Sequence, residues 1–207
     1  MRKIETRLLM AVLAFVVVAR SGSSIQMTQT HLEEKNLGKP IKDVLIIVII
    51  DDQEIRAIFE SHYKDWLRVK GVEAIISANV LPIEAGTKLE KEAIIEVIDK
   101  YKNDTLLITH LVGFSETEVF SRDRPRFYNN YYGFYNYAWS YVYWPTIYGE
   151  RVQFNLETRV YDVKTESLIW AGESQVKNPK TTGQAIGQVV DAVMKELEKN
   201  GLLPKTP

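Results

Sequence analysis

Seven consecutive residues, Val44-Leu45-Ile46-Ile47-Val48-Ile49-Ile50, are all apolar and mostly β-branched. A strand with one wet face alternates apolar and polar side chains, because successive side chains leave opposite faces of the sheet. A run without a polar position is a strand covered on both faces, which places it at the centre of a sheet flanked by helices. Asp51 and Asp52 then offer a helix N-cap, and Ile55, Ile58, Phe59, Trp66 and Leu67 recur on one helical face as far as Gly71. Val72–Ala78 reads as a second strand, ended by Pro82 and Gly86, and Leu89, Ala93, Val97 and Tyr101 stripe a second helix. Thr105–Val112 is a third strand that extends more weakly through Glu116 and Val119. The order β-α-β-α-β implies parallel pairing with right-handed crossovers.

The second half continues the sheet differently. Val152, Phe154, Leu156 and Val160 alternate with Gln153, Asn155, Glu157 and Arg159, which predicts a half-buried strand with those polar residues on a wet face. Asp162–Ser167 supplies a turn, and Leu168–Val176 returns as a hairpin partner. Thr181 or Thr182 caps a last helix bearing Ile186, Val189, Val190, Val193 and Leu197, which Asn200-Gly201 stops. The expectation is one three-layer α/β domain over residues 41–203, with a mixed sheet of about five strands.

Ahead of this domain the chain changes character. Arg2, Lys3 and Arg7 precede an uninterrupted apolar run, Leu8–Ala19, with the layout of an export signal and too short to span a bilayer comfortably, which takes about 20 apolar residues. Residues 1–20 are read as a signal segment and the polar residues 21–40 as a flexible tether. Val17-Val18-Ala19 followed by Ser21-Gly22-Ser23-Ser24 resembles the lipobox of bacterial lipoproteins, with Arg20 where the lipidated Cys would stand. Without a thiol there, no thioether to a lipid forms. Two readings stay open: descent from a lipoprotein whose Cys has been replaced, which the order of apolar run, small residues and Ser/Gly spacer favours, or a soluble secreted relative.

Composition narrows the chemistry. With 26 basic and 27 acidic residues in 207, the chain lacks the excess of Lys and Arg that phosphate backbones require, so no nucleic-acid partner is expected. Removing Arg2, Lys3, Arg7, Arg20 and Glu5 leaves 22 basic and 26 acidic residues, a mildly acidic surface poorly suited to clinging to anionic lipid. The absence of Cys removes disulfides, thiolate metal sites and cysteine nucleophiles together. His31, His62 and His110 fall in separate segments with no i, i+4 partner, so no metal is expected. Asp51-Asp52 after an apolar strand resembles the opening of a response-regulator receiver, but the third strand carries Thr109-His110-Leu111 where an acceptor Asp is required, so helix capping is the better reading. Gly113-Phe114-Ser115-Glu116-Thr117 lacks the second Gly of a nucleophile elbow, and no Gly-rich phosphate loop follows any strand. No catalytic residue and no cofactor are expected.

One stretch stands apart. Residues 120–149, an insertion between the third and fourth strands, hold Tyr128, Tyr131, Tyr132, Tyr135, Tyr137, Tyr141, Tyr143 and Tyr148 with Phe127, Phe134, Trp139 and Trp144, most of the chain's 11 Tyr. Tyr and Trp combine large apolar area with a polar end and are enriched at protein and membrane interfaces. The candidate interaction surface is therefore Tyr128, Tyr131, Tyr132, Tyr135, Tyr137, Trp139, Tyr141, Tyr143 and Trp144, facing an envelope protein, a glycan or the membrane interface. The competing reading is a self-packed loop that covers an otherwise bare part of the sheet.

Two further stretches, Val160-Tyr161-Asp162-Val163-Lys164-Thr165-Glu166-Ser167-Leu168-Ile169-Trp170 and the closing helix through Leu197–Leu203, together with the lipobox-like remnant, resemble small outer-membrane lipoproteins of largely unassigned function. These are similar in plan to the periplasmic α/β domains of the curli-secretion lipoprotein and of the lipoproteins that activate penicillin-binding proteins. The likeness covers about residues 40–203 in order of elements. It implies tethering to the outer membrane, exposure to the periplasm and protein binding, with no catalytic residues to carry over; Arg20 puts the tethering in doubt.

Overall fold

The computed structural model describes residues 22–81, 88–114, 118–119, 130–140, 142 and 152–204. The elements run β1 (Ser24–Leu32), β2 (Asp43–Ile49), α1 (Gln53–Val69), β3 (Glu73–Ile76), α2 (Ser77–Val80), α3 (Lys91–Tyr101), β4 (Thr105–Phe114), β5 (Glu118–Val119), α4 (Tyr131–Trp139), β6 (Gln153–Asp162), β7 (Leu168–Lys177) and α5 (Thr182–Lys199). One mixed sheet has the order β1-β7-β6-β4-β2-β3, with short β5 against β4. β2 is parallel to both β3 and β4, and the remaining pairs are antiparallel.

The double burial expected of the second strand organises the whole. Val44, Ile46 and Val48 pack with Phe59, Tyr63 and Leu67 of α1 and with Ile186, Val189, Val190, Val193 and Leu197 of α5. Leu45, Ile47 and Ile49 meet Ile94, Val97 and Ile98 of α3 and Tyr131, Phe134, Tyr135 and Ala138 of α4 on the other face. Each such aliphatic side chain contributes about 1.5–3 kcal/mol on leaving water. The result is the three-layer α/β domain with a mixed sheet that the sequence pattern implies. Asp52 caps α1 by accepting from the amides of Glu54 and Ile55, and Thr181 caps α5 by accepting from Gln184. Trp66 Nε1 donates to Asp191 Oδ1 at 2.8 Å and ties α1 to α5.

Four expectations need correction. Residues 21–40 are not a tether throughout: Ser24–Leu32 is an edge strand paired along its length with β7. The wet face assigned to the fourth predicted strand is also wrong at its centre, because Glu157 and Arg159 on β6 are buried beneath α4. The aromatic stretch, offered above as a displayed surface or a self-packed loop, contains a helix, α4, whose cap Asn130 accepts from the Gly133 amide at 2.7 Å. The second predicted strand is shorter than its apolar run, since the chain turns into α2 at Ser77.

Candidate functional site

The strand registers put several chain segments at one end of the sheet. Ser24 at the start of β1 faces Lys177 at the end of β7, Gln153 at the start of β6 faces the same Lys177, and Phe114 at the end of β4 faces Phe154. The N-termini of α1 and α5 follow β2 and β7 and therefore lie at this end too. Ser23 is fixed there, its hydroxyl 2.8 Å from Gln188 Oε1 of α5. Asn178 closes the mouth of the β6–β7 pair through reciprocal bonds with Val152: its amide donates to the Val152 carbonyl at 2.7 Å and its Oδ1 accepts the Val152 amide at 3.2 Å. Both connections of the aromatic segment 120–149 thus leave from the end of the sheet at which residues 1–23 join.

The sequence-predicted aromatics divide. Tyr131 and Tyr135 are core residues, so they cannot serve as a displayed surface in this conformation. Tyr132, Tyr137 and Trp139 are half-buried, with Tyr135 stacked between Tyr132 at 6.0 Å and Trp139 at 6.1 Å between ring centroids. Arg20, Tyr128, Tyr141, Tyr143 and Trp144 lie outside the described residues.

Beneath α4 lies a charged core that sequence reasoning missed. Glu157 Oε1 accepts from Arg159 Nε at 2.8 Å and Nη2 at 2.7 Å, and its Oε2 stands 3.4 Å from His110 Nε2. Burial alone would push the Glu157 carboxyl up, but His110 and the Arg159 charge outweigh it and hold the group at about 2. The Phe134 ring covers the Arg159 guanidinium at 4.3 Å and meets His110 edge-on at 5.2 Å. On the opposite face, Tyr63, Thr109 and Thr158 share hydroxyl contacts of 2.9–3.3 Å, and burial pushes the Tyr63 phenol up to about 12.

A second polar group fills the gap where β3 leaves β2. Their pairing ends at Ile46 and Ile76, so the Val48 amide has no strand partner on that side. The Glu60 carboxylate takes its place: Oε1 accepts from Val48 N at 3.0 Å and from Ser77 Oγ at 2.6 Å, and Oε2 accepts from Ala78 N at 2.8 Å. Burial holds the Glu60 carboxyl above its ordinary range against these bonds. Arg56, one turn earlier, is 3% exposed; its Nε lies 3.8 Å from Glu60 Oε1 and makes no hydrogen bond. Burial pushes its guanidinium pKa down, opposed by Glu60 and Tyr135. The Tyr135 hydroxyl accepts the Leu89 amide at 2.9 Å, and burial pushes this phenol up to about 12.

The acids considered at sequence level do less. Asp51 and Asp52 are exposed, and Asp52 is spent on the helix cap. His110 is engaged by Glu157, across the sheet from α1. A cleft of about 530 Å³ opens at the other end of the sheet, where Lys64, Arg68, Glu73, Tyr101 and Asn103 line the β3 edge. Among the described residues no cluster of His, Asp and Glu could hold a metal ion, and no helix is long and apolar enough to cross a membrane.

No protein-family model matches the chain, and no curated protein matches it in sequence. Among solved structures it is similar to PelC of Paraburkholderia phytofirmans, a dodecamer, at 10% identity over 87% of this chain and 99% of that one, with a TM-score of 0.47. A single-substitution variant of the same PelC dodecamer gives 10% identity over 89% and 100%, with a TM-score of 0.46. A PDZ domain protein of Parabacteroides distasonis follows at 12% identity and a TM-score of 0.42, over 85% of this chain and 36% of that protein.

Proposed function

We propose that the chain is an exported, non-catalytic binding or assembly domain of the bacterial cell envelope, held at the periplasmic face of the outer membrane. The observation that carries this reading is the shared end of the sheet. The signal-like residues 1–20 enter at Ser24, and the segment richest in Tyr and Trp leaves and re-enters beside it, between Val119 and Val152. Three residues separate Arg20 from Ser24 at the start of the first strand, four Cα–Cα steps that reach at most about 14 Å. If residues 1–20 stay attached, the end of the sheet from which the aromatic segment departs and to which it returns faces the bilayer, the level at which amphipathic Tyr and Trp rings are most favourable. The partner is an envelope protein or glycan reached from that side.

A hydrolase or transferase with a cleft near Asp51 and Asp52 is the reading from another class. It requires a base gathered with those acids, and among the described residues they are exposed and the one nearest role is capping.

The test is fractionation followed by capture. The full chain with a C-terminal tag is expected in the envelope fraction and protease-accessible in spheroplasts; a cytoplasmic, protected chain overturns the reading. Capture from envelope extracts then compares the wild type with a chain carrying Tyr128→Ser, Tyr141→Ser, Tyr143→Ser and Trp144→Ser, substitutions that leave the buried residues of α4 intact. Loss of the same captured partner in the variant supports the aromatic segment as the contact, and unchanged capture removes it.

A further inference from the structure

We infer that the open edge of β3 is a docking groove for an extended peptide in which a basic residue stands next to an acidic one. The inference does not depend on the envelope reading, since the groove lies at the other end of the sheet from the aromatic segment. β3 is the last strand in the order β1-β7-β6-β4-β2-β3, so among the described residues no strand pairs with its outer side. The Glu73 amide donates to the Lys42 carbonyl at 3.0 Å, inward toward β2. Successive residues of a strand aim their backbone groups to opposite sides, so the amide and carbonyl of Ala74 and the amide of Ile76 point outward. An edge with free donors and acceptors is a template for one more strand.

That edge lies in a cleft of about 530 Å³ with one wall from each face of the sheet. Lys64 and Arg68 of α1 form the wall on the face of Ala74, and Tyr101 and Asn103, at the end of α3 and just beyond it, form the wall on the face of Ile75. Asn103 is the sign of an occupant: it is 6% exposed, and its Oδ1 has no hydrogen-bond partner among the described residues. Buried polar atoms are almost always paired, so a donor that enters the cleft completes what the fold leaves open.

The two walls differ in charge. Asp43 and Glu73 are register partners on the Tyr101 side, and Asp104 joins them, its Oδ1 accepting the Asp43 amide at 3.2 Å. Burial, Asp104 and Glu73 together push the Asp43 carboxyl up, as crowding of carboxylates does. The other wall carries Lys64, half-buried, and Arg68, which also meets Asp65 at 3.2 Å. Side chains of an added strand alternate between faces, so its neighbouring residues meet walls of opposite charge: a basic one meets the carboxylates and Asn103, an acidic one the cations. A second copy of the chain is poorly suited. A two-fold ladder between edge strands is antiparallel and keeps like faces together, so the carboxylates of both copies would crowd one face and both Lys64 side chains the other.

The test titrates the isotopically labelled full chain with a blocked peptide of alternating charge, Thr-Lys-Glu-Lys-Glu-Thr. The Ala74 and Ile76 amide resonances are expected to shift saturably. Exchange of the Ala74 amide slows about fivefold when the peptide is at about four times its Kd, while Glu73, already bonded inward, is unchanged. A peptide of the same composition with its charges in blocks, Thr-Lys-Lys-Glu-Glu-Thr, binds about threefold to tenfold more weakly, and the alternating peptide loses a similar factor on Glu73→Lys. Methylating the inner amides of the alternating peptide keeps its side chains and abolishes the Ala74 protection. Ala74→Pro abolishes binding as well, and is tolerated at an edge because the amide it removes faces outward. No shift at Ala74, equal binding of the methylated peptide, or equal affinity for both charge orders overturns the proposal. So does a dimer in sedimentation whose Ala74 amide is protected without peptide. The wild-type resonances carry the decision, so a variant that fails to fold leaves the test intact.

Discussion

Replacing Phe134 by Ala tests whether α4 belongs to the domain's core or merely rests on it. The ring is fully buried, lies 4.3 Å from the Arg159 guanidinium, meets His110 edge-on at 5.2 Å and sits 6.2 Å from the Tyr161 ring. A buried Phe→Ala change costs about 3–5 kcal/mol in lost transfer energy and cavity. The loss of a desolvated cation–π contact adds about 1–2 kcal/mol. The sum, about 5 kcal/mol, is comparable to the entire stability of a marginal domain. Urea unfolding followed by tryptophan fluorescence reads it directly, and the thermal midpoint is expected to fall by about 10–20 °C for a domain of this size. Tyr132→Ala, on the half-exposed side of the same helix, serves as the control and should cost about 1 kcal/mol or less. If Phe134→Ala costs no more than that control, the helix is peripheral and the burial assigned to it is wrong. The same logic forbids replacing residues 126–148 by a linker: that chain should lose its cooperative transition, because Tyr131, Phe134 and Tyr135 leave the core together.

Other expectations follow from single sites. Glu157 is held at about 2 in the folded protein, below its ordinary value near 4.5, so its contribution is present above pH about 4.5 and is lost as pH falls through about 2. Glu157→Gln should flatten the stability profile in that window while costing about 3–5 kcal/mol at pH 7, where Arg159 loses its counter-ion; an unchanged acid limb would refute the assignment. Gly172→Ala should cost about 1–3 kcal/mol in urea unfolding, since a Cβ there overlaps the buried Trp170 ring and comes within 2.9 Å of Met27. Glu60→Ala leaves the Val48 and Ala78 amides and the Ser77 hydroxyl without their acceptor, and should cost about 3 kcal/mol or more with faster amide exchange at Val48; native exchange there would exclude the staple.

The sequence was legible wherever one physical signal dominated. The unbroken apolar run at residues 44–50 led to a central strand, and the spacing of Ile186, Val189, Val190, Val193 and Leu197 led to a buried helical stripe, because each stripe lies against uniform apolar surroundings. β1 was hidden by its bulge. Ile25 and Met27 alternate properly, but the extra residue between the pairs of Met27 and Gln29 shifts the phase, so Leu32 returns to the buried side out of register with period two. α4 was hidden for the opposite reason. Tyr131, Phe134, Tyr135 and Ala138 do occupy i, i+3, i+4 and i+7, yet Tyr132, Tyr137 and Trp139 between them are equally aromatic and erase the contrast. Asn130 as a cap was the available clue. Glu157 and Arg159 read as wet because the pattern carries no information on what lies over a face, and here a helix from a distant segment covers it. Arg56 and Glu60 at i, i+4 look like any solvated helix pair; Glu60 is drawn inward because β3 stops pairing at Ile76 and leaves the Val48 amide to its carboxylate.

The pairing of β1 with β7 has a kinetic consequence. β1 is the first of the described strands to be synthesised, and its partner is the last. The edge strand therefore finds no surface to zip onto until the final hairpin has formed, and it must remain unpaired while everything between is made. Contacts of such long sequence separation are slow to form, since their loop-closure entropy is met before any pairing is gained. The chain leaves its sheet open until nearly all of it has emerged, which delays completion of the native state and prolongs exposure of the β7 edge to wrong partners.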